Sequence, residues 1–364
     1  MSDLLFEPCS FGPLTIPNRL VMAPMTRYMS PGGVPSDDVA AYYRRRVEGG
    51  TGLIITEGTT IDQDAASPNA DIPRFHGDDA LAGWQHVVDE VHAAGGVIMP
   101  QLWHQGTMRK PGSGAHPEAP SIGPSGLLLP GKERGIAMTQ ADIDHCVEAF
   151  AKAAGEAKRI GFDGVELHGA HGYLLDQFFW EGTNQRDDAY GGDLVKRTRF
   201  AAEITAAVRD RVGPDYPILL RFSQWKQQDF PAKLAQNPAE LEAFLAPLIE
   251  AGVDIFHCST RRFWLPEFEG SDLNLAGWTR QISGKPTITV GSIGLDDDFI
   301  NTFSQGEAKV TKIDELLARL EREEFDLVAV GRILITNPAW PHLVREGRYD
   351  EILPYTKDAL ATLH

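Results

Sequence analysis

The stretch Gly164-Val-Glu-Leu-His-Gly-Ala-His-Gly-Tyr173 joins a short apolar run to two imidazoles and a phenol. Residues 164–167 favour a buried strand, and His168, His171 and Tyr173 follow where that strand is expected to end. Such a cluster can hold an anion that develops on a substrate oxygen and can supply a proton beside it. The stretch therefore predicts a strand that leads into a catalytic site.

The alternation of a short apolar run with a helical pattern recurs along the whole chain. Strands are predicted at 20–23, 52–56, 97–102, 164–167, 218–222, 254–258, 287–290 and 327–330. Amphipathic helices are predicted at 37–48, 80–94, 140–159, 194–211, 238–250 and 313–323. These units indicate an α/β protein, a (β/α)8 TIM barrel formed by residues 1–364 as a single domain. A doubly wound open sheet is the competing topology, but its glycine-rich dinucleotide fingerprint is missing after the first strand.

Two segments depart from this alternation. The Gly- and Pro-rich stretch 106–135 follows the third strand, and we expect it to form a lid-like loop over the barrel mouth rather than a domain boundary. Residues 296–309 are expected to form a short polar insertion after the seventh strand.

Composition narrows the class of protein. The formal net charge of −17 argues against nucleic acid as a partner. The cysteines at 9, 146 and 258 lack the spacing of metal or iron–sulfur motifs. No apolar run approaches the roughly 20 residues that span a bilayer, and the first residues lack the basic region of a signal peptide. We expect a cytoplasmic protein that binds neither nucleic acid nor membrane; a homo-oligomer is compatible with these features.

In a β/α barrel the site lies at the carboxyl ends of the strands. A glycine followed by a polar residue comes after each of the last two predicted strands, as Gly291-Ser292 and as Gly331-Arg332. These two pairs favour a phosphate site. Arg221 comes at the end of the apolar run Ile218-Leu219-Leu220 of the fifth predicted strand, facing the barrel mouth, where a guanidinium must find an anion or several acceptors. A salt bridge from Arg221 to Glu166 or Asp254 is the structural alternative, and Gln101 could likewise tie two strands together.

The ordered motifs of this chain resemble the Old Yellow Enzyme family of flavin-dependent oxidoreductases, and the resemblance covers nearly its whole length. The matching motifs are Phe6-Glu-Pro8, Ile16-Pro-Asn-Arg19, Ala23-Pro-Met-Thr-Arg27, Gln101-Leu-Trp-His104, the run His168 to Phe178, Asn184-Gln-Arg186, Tyr190-Gly-Gly192, Gly331-Arg332 and Asn337-Pro338.

The resemblance implies FMN bound tightly and non-covalently across the barrel mouth. Thr26 would contact the flavin C4 carbonyl, Gln101 the pyrimidine edge, and Arg221 the region of N1 and the C2 carbonyl. The remaining contacts implied are Pro24 and Met25 through the backbone, Gly58 by close approach, His168 between cofactor and substrate, and Gly291, Ser292, Gly331 and Arg332 at the phosphate.

The implied reaction is ping-pong reduction of an electron-poor alkene. NADPH or NADH, with NADPH expected, gives a hydride to the flavin, which passes it to the β carbon of an α,β-unsaturated carbonyl or nitro compound. His168 and His171 would hydrogen-bond the substrate oxygen, and Tyr173 would protonate the α carbon. Tyr28 and Trp103 are expected to line the substrate pocket.

Other functions compete with this one. His168 and His171 could be zinc ligands of a flavin-free hydrolase, but the further ligands would have to be His104 and His257. A flavin barrel that oxidises amines usually adds an iron–sulfur cluster, which the scattered cysteines do not support; a flavin-retaining regulatory protein is a further alternative. The stretch 260–268 is assigned to no single role, with the nicotinamide nucleotide, the substrate and a neighbouring subunit as the alternatives.

Overall fold

The computed structural model of the chain describes residues 3–298 and 307–364. Eight parallel strands form a closed barrel, in which each strand pairs with the next along the chain and the eighth pairs with the first. The strands are β1 (Leu20–Met22), β2 (Leu53–Thr60), β3 (Val97–Trp103), β4 (Val165–His171), β5 (Ile218–Lys226), β6 (Ile255–Ser259), β7 (Thr287–Val290) and β8 (Leu327–Val330). The predicted TIM barrel is confirmed.

Helices connect the strands and pack around the outside of the barrel. They are α1 (Asp37–Glu48), α2 (Asp78–Ala93), α3 (Gln140–Arg159), α4 (Leu174–Phe179), α5 (Leu194–Val212), α6 (Pro238–Ala251), α7 (Leu275–Ser283), α8 (Asp314–Glu321), α9 (Arg332–Thr336) and α10 (Trp340–Arg345). The predicted bounds of α1 and α3 are confirmed, whereas α4, α7, α9 and α10 were not predicted. None of the described helices is both long enough and apolar enough to cross a membrane.

Two apolar cores result from the alternation of side chains along each strand. One set points into the barrel and includes Leu53, Met99, Leu219 and Ile288. The hairpin of Cys9–Phe11 and Leu14–Ile16 covers one end of this inner core, with Leu14 and Ile16 buried in it. The other, larger set fills the space between strands and helices. The polar side chains that point into the barrel lie nearer the carboxyl ends of the strands, where the predicted site is.

The segment 106–135 is ordered by local structure rather than being a plain loop. It contains a 3-10 turn at Gly106–Met108 and three short strands at Ile122–Gly123, Leu127–Leu129 and Lys132–Glu133, and the strand Ile136–Ala137 just beyond it pairs with the first of these. The buried guanidinium of Arg109 donates hydrogen bonds to four backbone carbonyls of neighbouring turns. Gln228 Nε2, just beyond β5, reaches the carbonyl of Leu128 at 3.4 Å. The segment lies beside the barrel mouth; its function as a lid stays a prediction. Of the predicted insertion at 296–309, residues 299–306 lie outside the described residues.

The carboxyl-terminal segment docks against the loop that follows β1. Arg27 Nη2 donates to the carbonyl of Thr362 at 2.7 Å and contacts the carbonyls of two residues of the 3-10 turn Lys357–Ala361 at 3.4 Å. Arg45, in α1, donates to the carbonyl of Leu363. The loop that carries Thr26 and Tyr28 is thus held from behind by the other end of the chain.

Gly49, which ends α1, packs against the connection between α9 and α10. An added methyl group would lie 2.1 Å from the carbonyl oxygen of Pro338, although the φ of −78° suits any residue. We expect Gly49→Ala to lower the free energy of unfolding by about 1–3 kcal/mol, the usual cost of overpacking, as measured by urea denaturation. Gly155→Ala is the control, because its methyl group meets only the half-exposed side chain of Arg211 and alanine favours the helix. Equal losses in the two variants would contradict this packing.

Candidate active site

The site is built where β4 and β5 run beyond their predicted ends. β4 continues through His168 to His171, with a bulge between Gly169 and His171, and β5 continues to Lys226. His168 pairs in register with Arg221, which in turn pairs with His257 on β6. The parallel register therefore sets these three polar side chains side by side.

His168, His171 and Tyr173 form one aromatic cluster, as predicted. The ring centres of the two histidines are 5.2 Å apart and nearly perpendicular, and the ring of Tyr173 lies 4.9 Å from that of His168. Trp103 completes the cluster at 4.9 Å from Tyr173. Tyr28, the other predicted pocket residue, is 51% exposed and can form an outer wall.

Both histidines of the cluster are neutral. Burial, reinforced by repulsion from the Arg221 guanidinium, holds the pKa of His168 and of His171 well below the usual range. The backbone N–H of Ala170 donates to His168 Nδ1 at 3.3 Å. Because a neutral imidazole carries one proton, His168 Nε2 is the nitrogen that can donate.

Tyr173 keeps its proton. Burial raises the pKa of Tyr173 to about 12, although a hydrogen bond from Gln227 opposes the shift. Gln227 Nε2 donates to the phenolic oxygen at 3.0 Å. The hydroxyl proton of Tyr173 therefore remains to be given to another acceptor.

A buried ion pair supports the turn that carries these groups. Lys226 Nζ lies 2.5 Å from Asp176 Oδ1, with both side chains 0% exposed, and Asp176 Oδ2 accepts the backbone N–H of Gly172 at 2.7 Å. His171 itself has a φ of +66°. The ion pair was not predicted, because its partners lie 50 residues apart and carry no shared motif.

Three residues of the candidate site have an uncommon backbone conformation. Tyr28, His171 and Ser292 are three of the four described non-glycine residues with positive φ. Such conformations are uncommon and cluster at functional sites. All three residues were predicted site residues, although nothing in the sequence signalled their backbone conformation.

A network of polar side chains lies inside the barrel beside the cluster. Glu166 Oε1 accepts a hydrogen bond from Gln101 Nε2 at 2.7 Å. The other carboxylate oxygen, Glu166 Oε2, lies 2.7 Å from His257 Nδ1. Burial lowers the pKa of His257, against the opposing effect of Glu166. Gln101 therefore does tie two strands together, and its predicted contact with a flavin stays a prediction.

Arg221 forms neither of the salt bridges that were considered for it. Glu166 bonds Gln101 and His257 instead. Asp254, just before the start of β6, pairs with Arg209. Within the described residues, Arg221 Nη2 makes a long 3.4 Å contact with Ser259 Oγ, and its buried Nε has no hydrogen-bond partner. A buried guanidinium with spare donors fits a ligand that presents an acceptor or an anion.

Two glycines of the predicted cofactor site pack closely against other residues of the chain, and a third leaves space beside it. A Cβ at Gly58 would lie 2.7 Å from the Trp103 ring and 3.4 Å from Gln101 Oε1. Gly291, with a φ of +148°, would meet the carbonyl of Thr260 at 2.7 Å. At Gly331 a Cβ would meet nothing nearer than Met25 Sδ at 3.5 Å, so space remains there.

The predicted phosphate residues come together as expected for neighbouring strands. Arg332 Nη2 lies 3.5 Å from Ser292 Oγ and donates to the carbonyl of Asp297 at 2.7 Å. Glycine and a cation after β7 and β8 thus share one end of the barrel, where phosphate sites of this fold occur.

The loop after β1 is held by a carboxylate that was not assigned a role. Glu57, buried within β2, accepts the backbone N–H of Arg27 at 2.8 Å. Burial raises the pKa of Glu57 to about 7, although hydrogen bonds and the Arg27 charge oppose the shift. Pro24, Met25 and Thr26 precede this anchor and are half-buried at the mouth.

The loop after β6 is tied within the chain. Arg261 and Arg262 both pair with the buried Asp298, at 2.8 and 2.9 Å. The guanidinium of Arg261 also lies 5.1 Å above the ring of Phe230. The alternatives considered for residues 260–268 are not distinguished by these contacts.

A metal centre finds no support in the part of the chain that the structure describes. No group of three or more His, Cys, Asp or Glu side chains there could hold a metal ion. His104, one of the further ligands that the hydrolase alternative needed, bonds Gln63 and the backbone of Gly106 instead.

Comparison with known proteins places the chain in a family. The model of the NADH:flavin oxidoreductase / NADH oxidase family matches residues 4–351. An NADH oxidase of Thermoanaerobacter brockii is 35% identical over 359 residues, which are 96% of this chain but 52% of that protein, so the chain spans about half of that relative.

Solved structures of similar length agree in fold. Morphinone reductase in complex with tetrahydroNAD has a TM-score of 0.82 at 29% identity, covering 98% of this chain and 93% of that one. The Old Yellow Enzyme homologue of Zymomonas mobilis has a TM-score of 0.78 at 27% identity, covering 99% and 96%. The resemblance predicted from the motifs is confirmed: the chain belongs to the NADH:flavin oxidoreductase / NADH oxidase family, the FMN-dependent Old Yellow Enzyme family.

Proposed function

We propose that this protein is an ene-reductase that binds FMN at the carboxyl end of the barrel and reduces the C=C bond of α,β-unsaturated carbonyl or nitro compounds with NADPH or NADH. When bound, FMN supplies the hydride relay between nicotinamide and alkene in a ping-pong order. The observation that carries the proposal is the pair of neutral imidazoles beside a phenol that keeps its proton, next to a guanidinium with an unused donor.

The residues that would hold FMN share one end of the barrel. Arg221 offers a buried Nε–H to an acceptor, and Gly331 leaves space near Arg332 for a phosphate. The side chains and backbone proposed for the ring are Pro24, Met25, Thr26, Gly58, Gln101, His168 and Arg221, and those for the phosphate are Gly291, Ser292, Gly331 and Arg332. A nicotinamide nucleotide as donor is supported by morphinone reductase, whose structure contains tetrahydroNAD.

The chain's own groups would perform the second half-reaction. His168 Nε2 and a nitrogen of His171 would donate hydrogen bonds to the substrate oxygen, which stabilises the negative charge that develops there. Tyr173 would then give its hydroxyl proton to the α carbon. Trp103 and Tyr28 would form the pocket walls, one buried and one exposed.

The test of this function uses the purified protein. Its absorbance spectrum should show bound flavin, anaerobic NADPH or NADH should bleach that spectrum, and activated alkenes such as cyclohexenone should restore it. A protein that retains flavin but leaves every alkene of such a panel unreduced would contradict ene-reduction.

Tyr173→Phe separates the two half-reactions. Because it removes only the proton donor, we expect flavin reduction at the unaltered rate and alkene reduction about 10²–10⁴-fold slower, the usual range for a general acid, as measured by stopped-flow absorbance. Tyr190→Phe is the control, since that hydroxyl bonds Gln140 and Glu203 on the outer helices. Equal slowing of both half-reactions in Tyr173→Phe would rule out the proton-donor role.

The double variant His168→Ala/His171→Ala tests the oxygen-binding pair. Phenols mimic the enolate, and we expect their affinity to fall and alkene reduction to slow by at least about 10²–10³-fold, the usual cost of losing one such donor. Spectral titration with p-chlorophenol measures the affinity. His92→Ala, which alters a surface pair with Asp163, is the control. Unchanged phenol affinity in the double variant would remove both histidines from this role.

A further inference from the structure

Ser259 ends β6 in direct contact with the active-site cluster, and no step of the proposed reaction uses it. Its side chain is 3% exposed. The hydroxyl oxygen lies 2.8 Å from His171 Nε2 and 3.4 Å from Arg221 Nη2. In the described part of the chain these are the two hydrogen-bond contacts of the hydroxyl.

The chemistry of the two neighbours determines the direction of these bonds. A guanidinium only donates, so Ser259 Oγ accepts from Arg221. The serine hydroxyl has one proton of its own, and His171 Nε2 is the acceptor within reach. If Nε2 carried the proton instead, the buried serine O–H would be left without an acceptor, which costs free energy.

We infer that Ser259 is a positioning residue that holds His171 in the tautomer protonated at Nδ1, so that Nδ1–H is the donor presented to the substrate oxygen. The role of that donor rests on the proposed function; the tautomer itself does not. The chain of bonds runs from Arg221 to Ser259 and from Ser259 to His171. His168 is set in the opposite tautomer by Ala170, so the two histidines present different ring nitrogens.

The surroundings of His171 keep its ring in this contact. The Trp225 ring lies 4.7 Å from the imidazole, and Trp225 Nε1 donates to the backbone carbonyl of Ser259 at 3.2 Å. The backbone N–H of His171 donates to Ser223 Oγ at 3.0 Å. Since the pKa of His171 is held well below the usual range, the ring has one proton to place, and a serine that donates to Nε2 decides where it goes.

Loss of the serine hydroxyl should change the tautomer without disturbing the barrel. In Ser259→Ala nothing donates to Nε2, and the proton can move there, leaving the Nδ1 lone pair toward the substrate oxygen. The hydrogen bond from His171 to that oxygen would weaken.

Nitrogen chemical shifts of isotope-labelled histidine in the FMN-loaded protein measure the tautomer directly. The His171 signals are assigned by their loss in His171→Asn. We expect Nδ1 protonated and Nε2 bare in the unaltered protein, a shift of the proton toward Nε2 in Ser259→Ala, and recovery in Ser259→Thr, which restores a hydroxyl. Ser223→Ala is the matched control, because its hydroxyl accepts from the backbone of His171 and not from the ring.

Affinity for p-chlorophenol gives the second readout. We expect the dissociation constant to rise about three- to tenfold in Ser259→Ala, the effect of one hydrogen bond, and to return to its original value in Ser259→Thr. A proton on Nε2 in the unaltered protein overturns the inference even if Ser259→Ala fails to fold. So does a Ser259→Ala protein with the original tautomer and phenol affinity. Alkenes that are not reduced would defeat the proposed function while leaving the tautomer measurement intact.

Discussion

The mouth of the barrel is organised around one buried guanidinium that has few hydrogen-bond partners within the protein. Arg221 points inward because β5 alternates its side chains, and Glu166, the carboxylate whose charge acts on it, already bonds Gln101 and His257. The positive charge helps to keep His168 and His171 neutral. It also leaves a buried donor for a ligand. One guanidinium that forms no salt bridge among the described residues thus adds to the effect of burial on the two histidines and offers a donor that suits the proposed cofactor.

A buried ion pair fixes the turn after β4. A fully buried pair such as Lys226 and Asp176 gains little net stability, because both charges lose their hydration. Its geometric effect is larger, since Asp176 also fixes the backbone of Gly172 between His171 and Tyr173. The pair therefore fixes the positions of His171 and Tyr173, the proposed oxygen-binding and proton-donating groups, relative to each other.

Much of the barrel could be predicted from the sequence because each strand is a short apolar run followed by an amphipathic helix. α4 escaped prediction because all six of its residues are buried, so no periodic pattern shows. The grouping of His168, His171 and Tyr173 could be predicted from their place after a strand and from the motif resemblance, and their roles stay predictions. Their partners could not, because contacts such as Glu166 with His257 or His171 with Ser259 join residues about ninety positions apart.

The junction between Arg27 and the last residues of the chain has a consequence for recombining this protein with its relatives. The loop bearing Thr26 and Tyr28 rests on carbonyls more than 330 positions further along. Those contacts use the backbone of the terminal segment and depend on its path rather than on its side chains. In a chimera, the first and last segments have to be exchanged together, or the loop bearing Thr26 and Tyr28 will be supported by a segment that follows a different path.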